Sequence, residues 1–413
     1  MKNFLFTKEA IFAFYLVSGD IKIIYPLLHI NGIPDITLLS ALFLAIIMLH
    51  DLPYSLRNIS IKKLEFIIIF ILIYLFSIFS LAYTSSDSYS LTKVINFGTV
   101  ILGFFFPLLT KEFNRDFFIY SLTVLIFFIS IVFLDFYISY LNKDSIIFVS
   151  MSHEEALKLT IGYLSVSVAN GILIIYYFFK KNQISWIQWS IVLIAMIFLV
   201  ASGGRGPLLV VVLVLGSYFT YQLVMSLINF QIKKLIIPII ILSAIIGSLI
   251  IAISTKSIES NNNKAIKLFE SSLERFQTLK NSEGGGKSAY SRILYTKFAI
   301  DKINQQPLLG YGIGSFGFEY NNIDEKDYPH NLFLEVWFEM GVIPLFLLIL
   351  FFYAVYAHIS SVECYWCIAI YFYFFFNILK SDSLTDIRTL ISFFSIFLLI
   401  KRETETKLIS KSK

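Results

Sequence analysis

Residues 328–345 read Tyr-Pro-His-Asn-Leu-Phe-Leu-Glu-Val-Trp-Phe-Glu-Met-Gly-Val-Ile-Pro-Leu, a polar approach that runs straight into an apolar helix. Pro329 disfavours helix in the residue before it and Asn331 can cap the first turn, which leaves His330 at the mouth of the helix. Glu335 and Glu339 follow inside a segment expected to lie in a membrane, where a carboxylate is costly unless it is paired or wetted.

The composition agrees with a membrane setting. Hydrophobic residues make up 57% of the chain and charged residues 15%, against about 25% charged in an ordinary soluble domain. The 43 Phe and 24 Tyr suit helix interfaces and membrane belts. A net charge of +5 comes largely from loops, so it reads as topology and not as nucleic-acid binding. The basic N-terminus, with Lys2 and Lys8, precedes an apolar stretch without an A-x-A cleavage signal and predicts an uncleaved first helix.

Apolar segments near 10–28, 36–50, 64–83, 94–110, 117–141, 161–179, 186–201, 207–225, 235–254, 331–357, 362–379 and 385–400 predict an all-α polytopic membrane protein of about 12 transmembrane helices. Residues 1–254 then carry helices 1–9, residues 255–329 form a large outer loop with amphipathic helices, residues 330–400 carry helices 10–12, and residues 401–413 are a basic tail. Loops on one side hold Arg57, Lys62, Lys63, Lys111, Arg115, Lys180, Lys181, Lys233 and Lys234, while Lys93, Lys143, Lys158, Arg205, Lys380 and Arg388 are spread over the other. Positive-inside counting therefore puts both termini in the cytoplasm and the long loop outside.

Within that loop, Ile266, Phe269, Leu273 and Phe276 recur at helical spacing between charges, as in a helix lying on a membrane surface. Asn281 to Lys287 reads as a Gly-rich hinge. A second helix is expected over Ser288 to Asn304, ending before Pro307, with Arg292 in its early turns. The acidic residues Glu319, Asp324, Glu325 and Asp327 read mostly as solvated surface.

Three patterns imitate chemistry without its context. Gly286-Lys287-Ser288 resembles the end of a phosphate loop, but the glycine such a loop needs five residues before Gly286 is Asn281. Gly312, Gly314 and Gly317 satisfy G-x-G-x-x-G without a strand, turn and helix around them. Cys364 and Cys367 form C-x-x-C in an apolar run with no second ligand pair, and read as two packed thiols. No D-x-D pair, H-E-x-x-H or repeated Cys/His spacing points to a metal.

Ser202-Gly203-Gly204-Arg205-Gly206-Pro207 is different. Its glycines free the backbone, Pro207 suits a first helical turn, and Arg205 is left near a helix N-terminus, where guanidinium and free N–H groups together favour phosphate. A snorkelling arginine is the competing reading of this residue alone. With Arg292 and His330 it completes a set of two cations and one titratable base of near-neutral pKa, which is what transfer from a lipid pyrophosphate requires.

The S-G-G-R-G-P segment, the run Pro307-Leu308-Leu309-Gly310-Tyr311-Gly312-Ile313-Gly314-Ser315-Phe316, and His330-Asn331 followed by Gly341 together resemble the bacterial O-antigen polymerase and O-antigen ligase superfamily. The likeness spans roughly Val200 to Leu350. Tyr83-Thr84-Ser85 with Lys93 is similar to the family's first outer loop, and Arg205 followed by Gly216 fits the R-x10-G pattern of its polymerases, as does Arg275 followed by Gly286.

The resemblance implies a GT-C-like, inverting glycosyltransferase of the bacterial inner membrane, acting on undecaprenyl-pyrophosphate-linked oligosaccharide at the periplasmic face without metal or other cofactor. Arg205 and Arg292 would bind pyrophosphate, and His330 would activate the acceptor. Asn331, Glu335 and Lys93 would bind substrate. Membrane lipid and a polysaccharide chain-length regulator are the implied partners. The glycine run before the histidine and the R-x10-G fit favour a polymerase over a ligase that transfers glycan to lipid A core. A lipid-linked oligosaccharide flippase is the competing reading from another class, although no internal repeat supports it.

Overall fold

The computed structural model of the chain describes residues 7–27, 35–141, 153–180, 186–202, 204–228 and 287–400. Among these, every regular element is helical: α1 Lys8–Leu27, α2 Ile36–Asn58, α3 Ile61–Phe79, α4 Tyr89–Leu109, α5 Arg115–Leu141, α6 His153–Phe179, α7 Trp186–Ala201, α8 Arg205–Ile228, α9 Lys287–Gln305, α10 Phe316–Asn321, α11 Leu332–Met340, α12 Val342–Val362, α13 Tyr365–Ile378 and α14 Arg388–Phe397. The span expected at 235–254, the surface helix at 264–279 and the tail at 401–413 lie outside the described residues.

Six stretches, Ile36–Arg57, Lys63–Ala82, Tyr89–Leu109, Arg115–Leu134, Gly206–Ile228 and Val342–Val362, are long and apolar enough to cross a membrane. Shorter apolar helices run over Leu164–Phe179, Trp186–Ala201, Tyr365–Ile378 and Arg388–Phe397. Among the described residues the fold is all-α, and it is that of a multi-pass membrane protein. Apolar side chains such as Leu42, Phe43 and Ile46 of α2 point outward, as lipid-facing residues do.

The chain divides into two compact units, one of residues 1–19, 34–122 and 290–413 and the other of 20–33 and 123–289. In the first, α4 packs against α2, α3 and α14, and α12 against α3 and α11. Phenylalanines fill these seams: the rings of Phe70 and Phe104 lie 4.9 Å apart, Phe70 and Phe351 5.2 Å, and Phe352 and Phe394 5.2 Å. In the second, α6 packs against α7 and α8, and buried polar groups join its helices through the bond from Asn170 Nδ2 to Ser130 Oγ (2.8 Å) and the Ser167–Ser202 hydroxyl pair (2.5 Å).

Two sequence expectations are corrected. The span expected over 331–357 is two helices, because Gly341 between them takes φ +84°, where an L side chain is strained. A Cβ there would lie 2.0 Å from the Leu308 carbonyl oxygen, so the break needs glycine. Cys364 and Cys367 are joined as a disulfide instead of packing as separate thiols. Cys364 caps α13 and Cys367 sits in its first turn, which brings their Cα atoms to 5.3 Å, within disulfide reach.

Candidate functional site

His330 occupies the position just before the cap of α11. Asn331 is that cap, its Oδ1 accepting from the N–H groups of Phe333 (3.0 Å) and Leu334 (3.1 Å), while its Nδ2 donates to the Leu379 carbonyl (3.2 Å). Asn331 thus spends its side chain on holding the helix mouth against the loop after α13. His330 itself takes φ +54°, a left-handed conformation uncommon outside glycine and strained enough to need support from its neighbours.

That support is aromatic. The imidazole stacks parallel on Tyr295 of α9 at 5.8 Å and 3°, and the tilted Tyr328 ring lies 4.5 Å from it. Tyr295 hydrogen-bonds Asp327, and the Tyr328 hydroxyl donates to the Ser381 carbonyl (3.0 Å). One turn before Tyr295 on the same helix is Arg292, whose charge acts on the imidazole. The helix carrying both runs over Lys287–Gln305, within a residue of the expectation at each end.

The electrostatics depart from the expectation of a near-neutral base. Burial and then the Arg292 charge hold His330 well below its ordinary value, at about 4, against opposing contributions from a backbone hydrogen bond at Ser381 and the charge of Asp386. The imidazole is neutral at physiological pH. Its Nδ1 is buried without a hydrogen-bond partner, and so is Nε of Arg292. The Arg292 charge is felt at the imidazole, so a cationic group and a neutral ring nitrogen, each with an unused polar atom, are within electrostatic reach of one another and suit an anionic ligand.

Lys93 and Glu335, expected on substrate, are fully buried and turned toward each other. Lys93 Nζ lies 2.5 Å from Glu335 Oε1 and 2.7 Å from Glu339 Oε1. Glu335 also accepts from Ser383 Oγ (2.7 Å) and from the Leu384 N–H (2.9 Å). The triad ties α4, α11 and the loop between α13 and α14 into one block beneath His330.

Sequence reasoning passed over that loop, residues 379–387. It supplies the Leu379 and Ser381 carbonyls, Ser383, Asp382 and Asp386, the last paired with Lys326 at 2.9 Å. Burial, reinforced by the charge of Asp386, raises the Asp382 carboxyl to about 7. The available signal was a polar run, Lys380-Ser381-Asp382-Ser383, between two apolar spans on the face expected to carry His330.

The acidic approach is also more than solvated surface. Asp324 reaches across to the start of α4, accepting from Ser86 Oγ (2.5 Å), the Ser88 N–H (2.7 Å), Ser88 Oγ (2.9 Å) and the Tyr89 N–H (3.3 Å). Burial opposes its charge, but these bonds outweigh it and bring the carboxyl to about 2.

The glycine run has a packing role. Gly310, Gly312 and Gly314 all take positive φ. A Cβ on Gly312 would meet Thr84 Cα at 2.2 Å, and one on Gly314 would meet Ser90 Cα at 2.9 Å. Thr84 Oγ1 in turn donates to the Ile313 carbonyl (2.8 Å).

Arg205 opens α8 in the second unit, with Pro207 in the first turn as the sequence implied. A Cβ on the preceding Gly204 would lie 2.2 Å from Ser167 Oγ, so close packing excludes a larger residue there. Among the described residues no cluster of three or more His, Cys, Asp or Glu side chains could hold a metal ion.

Residues 189–349 match the family described as O-antigen ligase. The match includes Arg205, Arg292 and His330 but stops short of Lys93 on one side and the 379–387 loop on the other. No curated protein matches the chain.

Proposed function

We propose, from the premise that residues 189–349 fall in the O-antigen ligase and polymerase superfamily, that this protein is an O-antigen polymerase. It moves a growing glycan from undecaprenyl pyrophosphate to a new lipid-linked repeat unit. The observation that carries the reading is the pair of orphaned groups, Arg292 Nε and His330 Nδ1, beside the Tyr295 and Tyr328 rings.

In this reading Arg292 binds the pyrophosphate, and Arg205 is a further phosphate-binding residue, as the family resemblance implies. His330 takes the proton of the acceptor hydroxyl as its oxygen bonds the anomeric carbon, and the bond from that carbon to the phosphate oxygen breaks. The lipid pyrophosphate leaves as an anion against Arg292, and the anomeric centre inverts. A neutral imidazole can accept the proton, and an anion opposite Arg292 would offset the charge that depresses its pKa, making His330 a stronger base once substrate is bound. Lys93 and Glu335 serve by fixing the helix under His330, and Asn331 by holding its mouth.

The chemistry needs no metal or other cofactor. About twelve spans in a GT-C-like arrangement would put both termini in the cytoplasm and the site on the periplasmic side of the inner membrane. A chain-length regulator is a further partner in this reading. Ligation to lipid A core is the second reading, favoured by the description of the matching family. Supplying the purified protein with lipid-linked repeat units, with and without lipid A core, separates the two.

A further inference from the structure

Between α9 and α10 the chain passes through Pro307, Leu308 and Leu309, two of the more solvent-exposed leucines of the described chain at 69% and 52%. A loop in water leaves its carbonyls to be hydrated. Here three successive carbonyls are taken by protein donors. Pro307 accepts from Trp337 Nε1 (3.1 Å), Leu308 from the Val342 N–H (3.3 Å), and Leu309 from the Tyr83 hydroxyl (2.8 Å). Pro307 has no N–H to satisfy, and the Gly310 N–H returns to the Gln306 carbonyl (3.3 Å).

Those donors fix the height of the loop. Tyr83 follows directly on the membrane-spanning stretch Lys63–Ala82, and Val342 begins the stretch Val342–Val362. The outward-facing residues at these two ends are apolar: Phe79 at 57%, Ile343 at 53% and Phe346 at 63% exposed. The Phe79 ring packs against Tyr83 at 5.9 Å. The leucines therefore continue the lipid-facing surface of two spans, in a segment whose three carbonyls are bonded within the protein, which lowers the cost of bringing irregular backbone to the bilayer edge. Trp337 and Tyr83, each with an apolar ring and a polar tip bonded to the loop, suit the membrane boundary.

We propose that Leu308 and Leu309 are seated in the bilayer edge and that this lipid contact sets the depth of α9 and α11, and with them of His330. Gly310 and Gly341 allow the fold, since a Cβ on either would strike backbone at 2.5 Å (Phe338 O) or 2.0 Å (Leu308 O). The inference does not depend on which glycan is transferred.

The test uses the full chain in phospholipid vesicles. A nitroxide is attached at Leu308→Cys and, separately, at Leu309→Cys, in a background with Cys364→Ser and Cys367→Ser. Phe346→Cys serves as lipid reference and Glu325→Cys as aqueous reference. Collision with oxygen is compared with collision with a water-soluble nickel chelate. The labels at 308 and 309 should follow position 346, with oxygen collisions favoured and nickel collisions suppressed. Nickel accessibility equal to that at 325 would overturn the proposal, and suppression of both relaxants would overturn it in favour of a protein cover. Neither readout requires enzyme activity, so it succeeds or fails apart from the proposed function.

Discussion

Lys93 and Glu335 are 242 residues apart in sequence, yet their side chains meet at 2.5 Å with no exposure of either to solvent. Glu339 joins them at 2.7 Å, so a single lysine serves two carboxylates. The ammonium is committed to the protein, and with it the orientation of the helix whose mouth is His330.

Replacing Lys93 with Met should therefore destabilise the protein more than it alters any single kinetic constant. Leaving buried carboxylates without their cation costs about 3–5 kcal/mol. Thermal unfolding in detergent should show a marked fall in Tm, largely restored in the combined variant Lys93→Met, Glu335→Gln, Glu339→Gln. A Lys93→Met protein of wild-type stability but no activity would return Lys93 to the substrate.

The orphaned groups should behave in the opposite way. Arg292→Ala and His330→Ala remove the orphaned Nε and Nδ1, and His330→Ala also gives up a backbone hydrogen bond at Ser381. Each should lower chain extension by roughly 10²–10³-fold with near-normal folded yield. Arg205→Ala is expected to match them. Full activity in any one variant removes that residue from the mechanism.

A pH comparison probes the coupling between Arg292 and His330. In the free protein His330 titrates at about 4, so the acidic limb of kcat/KM should lie low. With pyrophosphate opposite Arg292 the imidazole becomes more basic, and the limb of kcat should move to higher pH. Coincident limbs would contradict the coupling. The same shift has a stability consequence. Between the ordinary value of about 6.5 and about 4 the unfolded chain binds a proton that the folded one resists, so stability should fall as pH falls through that window. His330→Asn should flatten that slope.

Two glycines separate packing from pattern. Gly312 takes φ +89° and has the Thr84 backbone 2.2 Å from where a Cβ would stand, whereas Gly216 has nothing within 4 Å. Gly312→Ala should be strongly destabilising, and Gly216→Ala should unfold within a degree or two of wild type, surface changes being worth about ±0.5 kcal/mol. A large loss from Gly216→Ala would give the R-x10-G spacing a role that packing does not supply.

These contrasts show what the sequence made legible. Apolar run lengths located helices because backbone satisfaction in lipid leaves few alternatives. The Asn331 cap and the helix carrying Arg292 followed from local signals, Pro329 and Pro307 among them. Three features did not. The break at Gly341 depends on the Leu308 carbonyl, a contact from another part of the chain. The partner of Glu335 is on α4, and no local rule pairs residues so distant. The low pKa of His330 comes from burial and from Arg292, both tertiary. The 379–387 loop was visible only as four polar residues between spans, and its role emerges from the carbonyls and hydroxyls it turns toward Tyr328, Asn331 and Glu335.

Topology can be tested at residues the structure describes. Glu325→Cys should react with a membrane-impermeant thiol reagent added outside intact spheroplasts, in the background lacking Cys364 and Cys367. Reaction only after permeabilisation would reverse the orientation.

The central claim is tested most directly by offering the purified protein lipid-pyrophosphate repeat units as sole substrate, in excess EDTA, and resolving the lipid-linked products by size. The expected result is a ladder of longer chains that disappears in Arg292→Ala and His330→Ala. Absence of product until lipid A core is added would make the protein a ligase, and a ladder undiminished in His330→Ala would contradict the site itself.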